Sequence, residues 1–284
     1  MSKAITPIAG FWQRFRKNRM AVVGLVLLAA IVVAALAASW LFPGNPLGMV
    51  GPPELWPLED RRFPLGTDTL GRDLLPLVFH GARTTLLIGL AASAIATLIG
   101  AAIGALAGFH GGYVDAILMR ITEIFQTVPN LVFLITLVAV FGPRASYMAI
   151  GIGLVSWTGI ARLTRAEFLS LKNREFVLAA RAVGMSDARL ILREILPNAL
   201  PPIIVLASLV VATAVLFEAA LAFLGLTDPN IPSWGRLIGD GRSFIRTAWY
   251  LCAIPGVLIV ITVLSLNLAG DGLNDAFNPR LRTR

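Results

Sequence analysis

The sequence predicts an all-α membrane protein that crosses the bilayer six times. Three observations carry that expectation. Hydrophobic residues make up 57% of the 284 positions and charged residues only 14%, against roughly a quarter charged in a soluble domain; mean hydropathy is +0.79. Six apolar runs are long enough, as helices, to cross a hydrocarbon core of ~30 Å. Proline-rich or charged stretches separate them. The same numbers leave no room for a large soluble catalytic domain. Cys252 is the one cysteine, which excludes an internal disulfide and a cysteine-ligated zinc. The net charge of +8 fits basic cytoplasmic loops beside anionic lipid rather than nucleic acid.

Residues 1–19 are basic, with an aromatic edge (Phe11, Trp12, Phe15) and a cationic one (Arg14, Arg16, Lys17, Arg19). They read as a helix lying at the headgroup level of the lipid. Residues 20–42 form the first span, too long an apolar run for a cleaved signal peptide. Residues 43–81 hold seven prolines and read as an extramembrane loop. Within it, Thr67 or Asp68 caps a helix or closes an Asx turn, with Gly66 and Gly71 as flexible points. The second span, 83–109, sets Gly89, Ser93, Gly100, Gly104 and Gly108 at four- and seven-residue steps, a pattern for close helix packing. The third, 119–141, contains Pro129, so a kink is expected there. The fourth is 145–163, the fifth 200–226 and the sixth 248–268. Residues 82–271 form the core, 166–199 a loop within it, and 272–284 a tail.

Six spans put both termini on one side. Basic residues favour that side by two to one, so the positive-inside rule places the termini and the 166–199 loop in the cytoplasm.

There is no G-x-x-x-x-G-K-[ST], no H-E-x-x-H and no G-x-S-x-G, which argues against a P-loop nucleotide site, a zincin and an α/β-hydrolase. The two histidines, His80 and His110, are too scattered for a metal site. Two acids stand at bilayer depth, Glu123 and Glu218. Each is a candidate pathway or subunit-contact residue; the structural alternative for Glu218 is hydrogen-bonded packing.

The 175–202 stretch, EFVLAARAVGMSDARLILREILPNALPP, is the charged segment that needs a purpose. Glu175–Val183 reads as a short helix stopped by Gly184. Ser186 or Asp187 caps a second, ending where Pro197 closes it. Two short helices about a glycine corner make a knob that fits a cleft on a partner; an amphipathic loop lying on the bilayer has the same spacing.

Within it, Ala179, Ala180 and Gly184, followed after nine residues by Glu194-Ile195-Leu196-Pro197, resemble the EAA motif of ABC importer permeases. Gly66-Thr67-Asp68 with Gly71-Arg72-Asp73, GGYVDAILMR, ARLTRAEFLSL, FEAALAFLGL, PSWG at 232–235 and NLAGDGLNDAFNPRL are similar to the C-type permease of the dipeptide/oligopeptide/nickel group. Glu218-Ala219-Ala220 spells EAA but lies within a span and is not the docking motif. Leu178 stands where that motif usually has Glu, and the loop before PSWG is short and acidic. The resemblance implies the MetI-like fold of type I ABC importers in a bacterial inner membrane. It implies a heterodimer with a homologous permease, two ATP-binding subunits that hold ATP and Mg, and an extracytoplasmic substrate-binding protein. This chain then binds no cofactor and catalyses no reaction. Ala179, Ala180, Gly184, Ser186, Asp187, Ile195, Leu196 and Pro197 would dock the ATPase. An ion-coupled secondary carrier is the alternative.

Overall fold

The computed structural model describes residues 7–277, with side chains from Trp12 onward. Phe11's side chain, Lys3 and the basic tail residues Arg280, Arg282 and Arg284 lie outside that range. The described residues hold eleven α-helices and no named strand. α1 (Pro7–Lys17) turns at Asn18 into α2 (Arg19–Leu41), and Asn18 Oδ1 caps α2 by accepting from the Ala21 amide at 3.1 Å. A folded loop leads to α3 (Leu74–His110). Then follow α4 (Gly112–Thr127), α5 (Asn130–Phe141), α6 (Ala145–Leu171), α7 (Glu175–Ala182) and α8 (Asp187–Arg189). A π-helical stretch, Leu190–Ile195, joins α8 to α9 (Leu196–Phe223); α10 (Trp234–Gly241) and α11 (Tyr250–Phe277) complete the order.

Four continuous helical stretches are long and apolar enough to cross a membrane: Arg19–Leu41, Leu74–His110, Asp187–Phe223 and Tyr250–Phe277. The α4–α5 pair makes a fifth if it is counted as one span bent by 80°. α6 has 27 residues, about 40 Å of helix, but Ser, Thr, Gly and Arg along it lower its hydropathy. The expected six is met only by including both. The kink expected at Pro129 is a full break: Val128 sits in an extended conformation, as a residue before proline prefers.

Other boundaries move too. α3 starts eight residues inside the expected loop, with Asp73 as its N-cap (Leu75 N to Oδ1, 3.0 Å). Pro76 is tolerated because the first helical turn needs no internal donors. α6 runs past residue 163 to Leu171, and α11 takes in residues 272–277, the start of the expected tail. The stretch around 234–241, expected as loop, is helix α10.

Three seams hold the bundle. α3 and α6 run parallel, and a Cβ at Gly100, Gly104 or Gly108 would meet the backbone of Trp157, Ala161 or Arg165 at 2.3 to 2.7 Å. α3 and α9 run antiparallel: Gly89 faces Val211 and Val215, and Ser93 Oγ donates to the Ala207 carbonyl at 2.7 Å. α2 lies antiparallel to α11 through Gly24 against Leu268 and Gly272 against Ala21. In lipid such contacts gain by dispersion between closely approached backbones, not by removal from water. α1 is not simply laid on lipid. Phe15 is buried, and Arg14 and Asn18 bond to the end of α11, at the Ala276 carbonyl (3.0 Å) and the Asp275 carboxylate (2.9 Å).

At the other end, the 43–73 loop folds over the α11 start. Tyr250 Oη reaches the Leu55 and Thr67 carbonyls at 2.8 and 3.1 Å. Asp68 closes an Asx turn by accepting from the Leu70 and Arg72 amides, both at 2.8 Å. Gly71 has φ +74 and backs onto the Gly51 carbonyl, 2.1 Å from where a Cβ would stand.

Candidate functional site

Residues 172–197 project beyond the ends of α3 and α6 as a foot. Val177, Leu190 and Ile195 are fully buried in one cluster with Phe109 and Phe168. Each such burial contributes roughly 1.5–3 kcal/mol where the alternative is water, so the foot is rooted, not draped. Its corner is a Schellman cap: Gly184 N bonds to the Arg181 carbonyl (3.0 Å) and Met185 N to the Ala180 carbonyl (3.2 Å). Gly184 has φ +81 and nothing within 4 Å of a Cβ position, so its backbone needs glycine while its surroundings are open.

Ser186 occupies the N-cap position of α8 but makes no side-chain capping bond, and Asp187 opens the first turn. Ala179, Ser186, Asp187 and Pro197 are exposed, Ala180 and Leu196 half-buried, and Ile195 buried. The exposed face also carries Leu178 (49% accessible), Val183 (82%) and Leu192 (62%). Val183 directly precedes the glycine corner, and the rest of the chain covers none of the three. Position 178 is apolar where the motif would place a carboxylate.

The expected stop at Pro197 does not occur; helix continues from Asp187 to Phe223. The reason lies in the preceding π turns, where Leu196 N bonds back to the Ile191 carbonyl, five residues earlier. Wider turns displace the carbonyl that a proline ring would strike in an α-helix. Pro201 and Pro202 follow inside α9 and remove two more donors. The link between foot and span is therefore short of backbone hydrogen bonds, a joint in an otherwise continuous helix.

Beside the foot, Arg165 on α6 clasps Asp115 on α4 through two bonds, Nε–Oδ1 2.5 Å and Nη2–Oδ2 2.6 Å. Lys172 Nζ donates to the Gly108 carbonyl at 3.0 Å, and the Arg181 guanidinium lies 5.7 Å over the Phe109 ring. Sequence reasoning missed this pair because its members are fifty residues apart on different helices; the only signal was that GGYVDAILMR and ARLTRAEFLSL both matched the family. A part-buried charge-assisted pair contributes about 1.5–3 kcal/mol. Asp115→Asn should therefore lower the thermal stability of the detergent-solubilised protein measurably. Arg165→Lys should do so as well, since lysine cannot make the fork; an unchanged melting curve in both would show the pair to be idle.

The two acids singled out in sequence go to different places. Glu123 is exposed on α4 and pairs with Arg120 at 3.1 Å. Glu218 is fully buried within the chain, bonded to Ser233 at 2.6 Å and to Thr85 at 3.4 Å. They share no partner, and in this conformation Glu218 reaches no open surface of the chain.

This architecture has known relatives. Residues 100–283 match the family described as binding-protein-dependent transport system inner membrane component. The chain belongs to the binding-protein-dependent transport permeases. Residues 6–52 of the permease match a second family, the N-terminal TM domain of oligopeptide transport permease C. The permease is 40% identical over 283 residues to the di/tripeptide transport system permease protein DppC of Pseudomonas aeruginosa, covering 98% of this chain and 93% of that one. It is 39% identical to the dipeptide transport system permease protein DppC of Escherichia coli K12, covering 98% and 95%. It is 39% identical to the oligopeptide transport system permease protein OppC of Haemophilus influenzae, covering 95% and 89%.

Among solved structures, an inward-facing MetNI methionine ABC transporter aligns with TM-score 0.60 at 21% identity, covering 72% of the permease and 98% of that chain. An amino acid ABC transporter aligns with TM-score 0.54 at 18% identity, covering 71% and 94%. These two share the fold. The permease is a multi-pass inner-membrane protein of an ABC importer, and its family sets aside the ion-coupled carrier.

Proposed function

We propose that the permease is one of two homologous membrane subunits of an ATP-driven importer of short peptides, lining half of the path. The observation that carries this reading is identity of 33–40% to dipeptide, di/tripeptide and oligopeptide permeases over nearly the whole chain. Two cytoplasmic ATP-binding subunits would hold ATP and Mg, and an extracytoplasmic binding protein would deliver the peptide. The excess of basic residues on the termini side supports an orientation with both termini and the foot in the cytoplasm. A reporter fused at Arg284 should then behave as cytoplasmic.

The foot suits coupling for a physical reason. Apolar residues exposed on a segment with a glycine corner give a partner something to grip, and burial of Val177, Leu190 and Ile195 ties that grip to α3 and α6. Nucleotide-driven movement of the ATPases would then bias a two-state membrane element through one contact. Ala179, Ala180, Gly184, Ser186, Asp187, Leu196 and Pro197 would form or border that contact, and Ile195 would anchor it from within. The test is uptake of labelled di- and tripeptides by a host lacking its own peptide importers, with the permease co-expressed with its partner subunits. Peptide-dependent uptake that needs ATP is expected. An assembled complex that takes up neither peptide overturns the substrate assignment.

A further inference from the structure

We infer that Glu218 is a positioning residue of the transport cycle: it locks α10 to α3 and α9 at the outer end of the bundle, so that the three move as one block. This rests on the importer reading above. Two hydroxyls converge on the Glu218 carboxyl group: Ser233 Oγ donates to Oε1 at 2.6 Å and Thr85 Oγ1 donates to Oε2 at 3.4 Å. Each hydroxyl is also held by a backbone amide: Ser233 Oγ accepts from the Arg236 amide at 3.1 Å, and Thr85 Oγ1 accepts from the Trp234 amide at 3.2 Å. Each thus spends its one proton on Glu218 and a lone pair on α10, in a place buried from water.

The surrounding fit has no slack. Trp234 is buried, with Nε1 donating to the Val78 carbonyl of α3 at 2.9 Å. A Cβ at Gly235 would stand 2.7 Å from Ala219 Cα, and one at Gly239 would stand 2.5 Å from the Ala222 carbonyl. Just beyond α10, the Arg242 guanidinium bonds to the Phe223 carbonyl at the end of α9. α10 is therefore a short helix keyed onto α9 by glycines and onto α3 by a tryptophan, and Glu218 is the polar pin where all three meet. The FEAALAFLGL and PSWG stretches, read separately in the sequence, are the two halves of that pin.

Glu218→Gln keeps the size but puts an NH₂ group where one of the two hydroxyls now donates, so that bond must be given up or reversed, which loosens α10 without leaving a cavity. The experiment uses the assembled complex, in detergent for labelling and in proteoliposomes for uptake, with Cys252→Ser so that no native thiol of this chain reacts. Leu237→Cys reports α10, where Leu237 is 7% accessible; Val138→Cys, at a site 2% accessible on α5, reports the rest of the bundle. Glu218→Gln should speed maleimide labelling at position 237 about tenfold, leave position 138 unchanged, and reduce peptide uptake per ATP hydrolysed; Glu218→Asp should fall between. Unchanged labelling at 237 overturns the anchor. Equal acceleration at both positions makes Glu218 a general stability residue and overturns it too. Faster labelling at 237 with unchanged uptake per ATP refutes the role in transport. Because labelling needs no solute, a complex that labels as expected but imports no peptide leaves the anchor standing and removes the importer reading instead.

Discussion

Gly104→Leu is expected to leave almost no folded permease in the membrane. Even a bare Cβ at that position stands 2.3 Å from the Ala161 carbonyl oxygen, 2.7 Å from Thr164 Cβ and 2.9 Å from the Arg165 amide nitrogen. Two of these are backbone atoms, which cannot swing aside as a side chain does. Overpacking a core costs about 1–3 kcal/mol when side chains can relax; here a whole helix has to move, and the seam continues through Gly100 and Gly108, so the cost is greater. Gly159→Ala on α6 is the control, since a Cβ there meets nothing within 4 Å. The measurement is the yield of monodisperse protein from membranes. A Gly104→Leu yield equal to that of the control would mean that α3 and α6 do not pack as described.

The second large effect falls on function, with the fold left intact. Gly184→Asp should cut peptide uptake at least roughly tenfold while the chain still inserts and accumulates. A left-handed residue other than glycine costs on the order of 1–2 kcal/mol, and Asn or Asp less than most. Open space around the position adds no clash. What changes is a negative charge placed at the exposed corner after Val183, on the segment proposed to meet the ATPase, where an unpaired charge in an interface costs about 2–5 kcal/mol. Gly184→Asn shares the backbone strain and lacks the charge, so it should lose much less. Full uptake by the Asp variant would remove this face from the coupling path, and equal loss in both variants would assign the effect to backbone strain.

Much of this was legible in the sequence, for identifiable reasons. α2, α3, α9 and α11 are long, apolar and nearly free of charge, and the glycine steps on α3 foretold the seams that hold it to α6 and α9. The glycine corner was legible because only glycine sits easily at positive φ behind a short helix. What was hidden depended on partners distant in the chain. Thr85 and Glu218 lie 133 residues apart, and nothing near either names the other. The sequence suggests an end for α6 near residue 163, where charges begin, but Thr164 and Phe168 are buried beyond that point and the helix runs on to Leu171. Pro197 looks like a stop because π turns leave no mark in the sequence, and α10 looks like loop because its glycines, which let it lie against α9, resemble turn residues.

The length of α3 has a consequence for the lipid. Its 37 residues make about 55 Å of helix, against a hydrocarbon core of ~30 Å. Arg83 bonds to Ser39 at 2.8 Å near the end of α2, and the uncharged run that follows, Thr84 to Phe109, is still about 39 Å. An isolated helix would relieve this mismatch by tilting. Here α3 is seamed by backbone contact to α6 on one side and α9 on the other, so it cannot tilt without carrying both. The bundle must tilt as one unit or the bilayer thicken around it, so membrane thickness becomes a load on the whole permease and not on one helix.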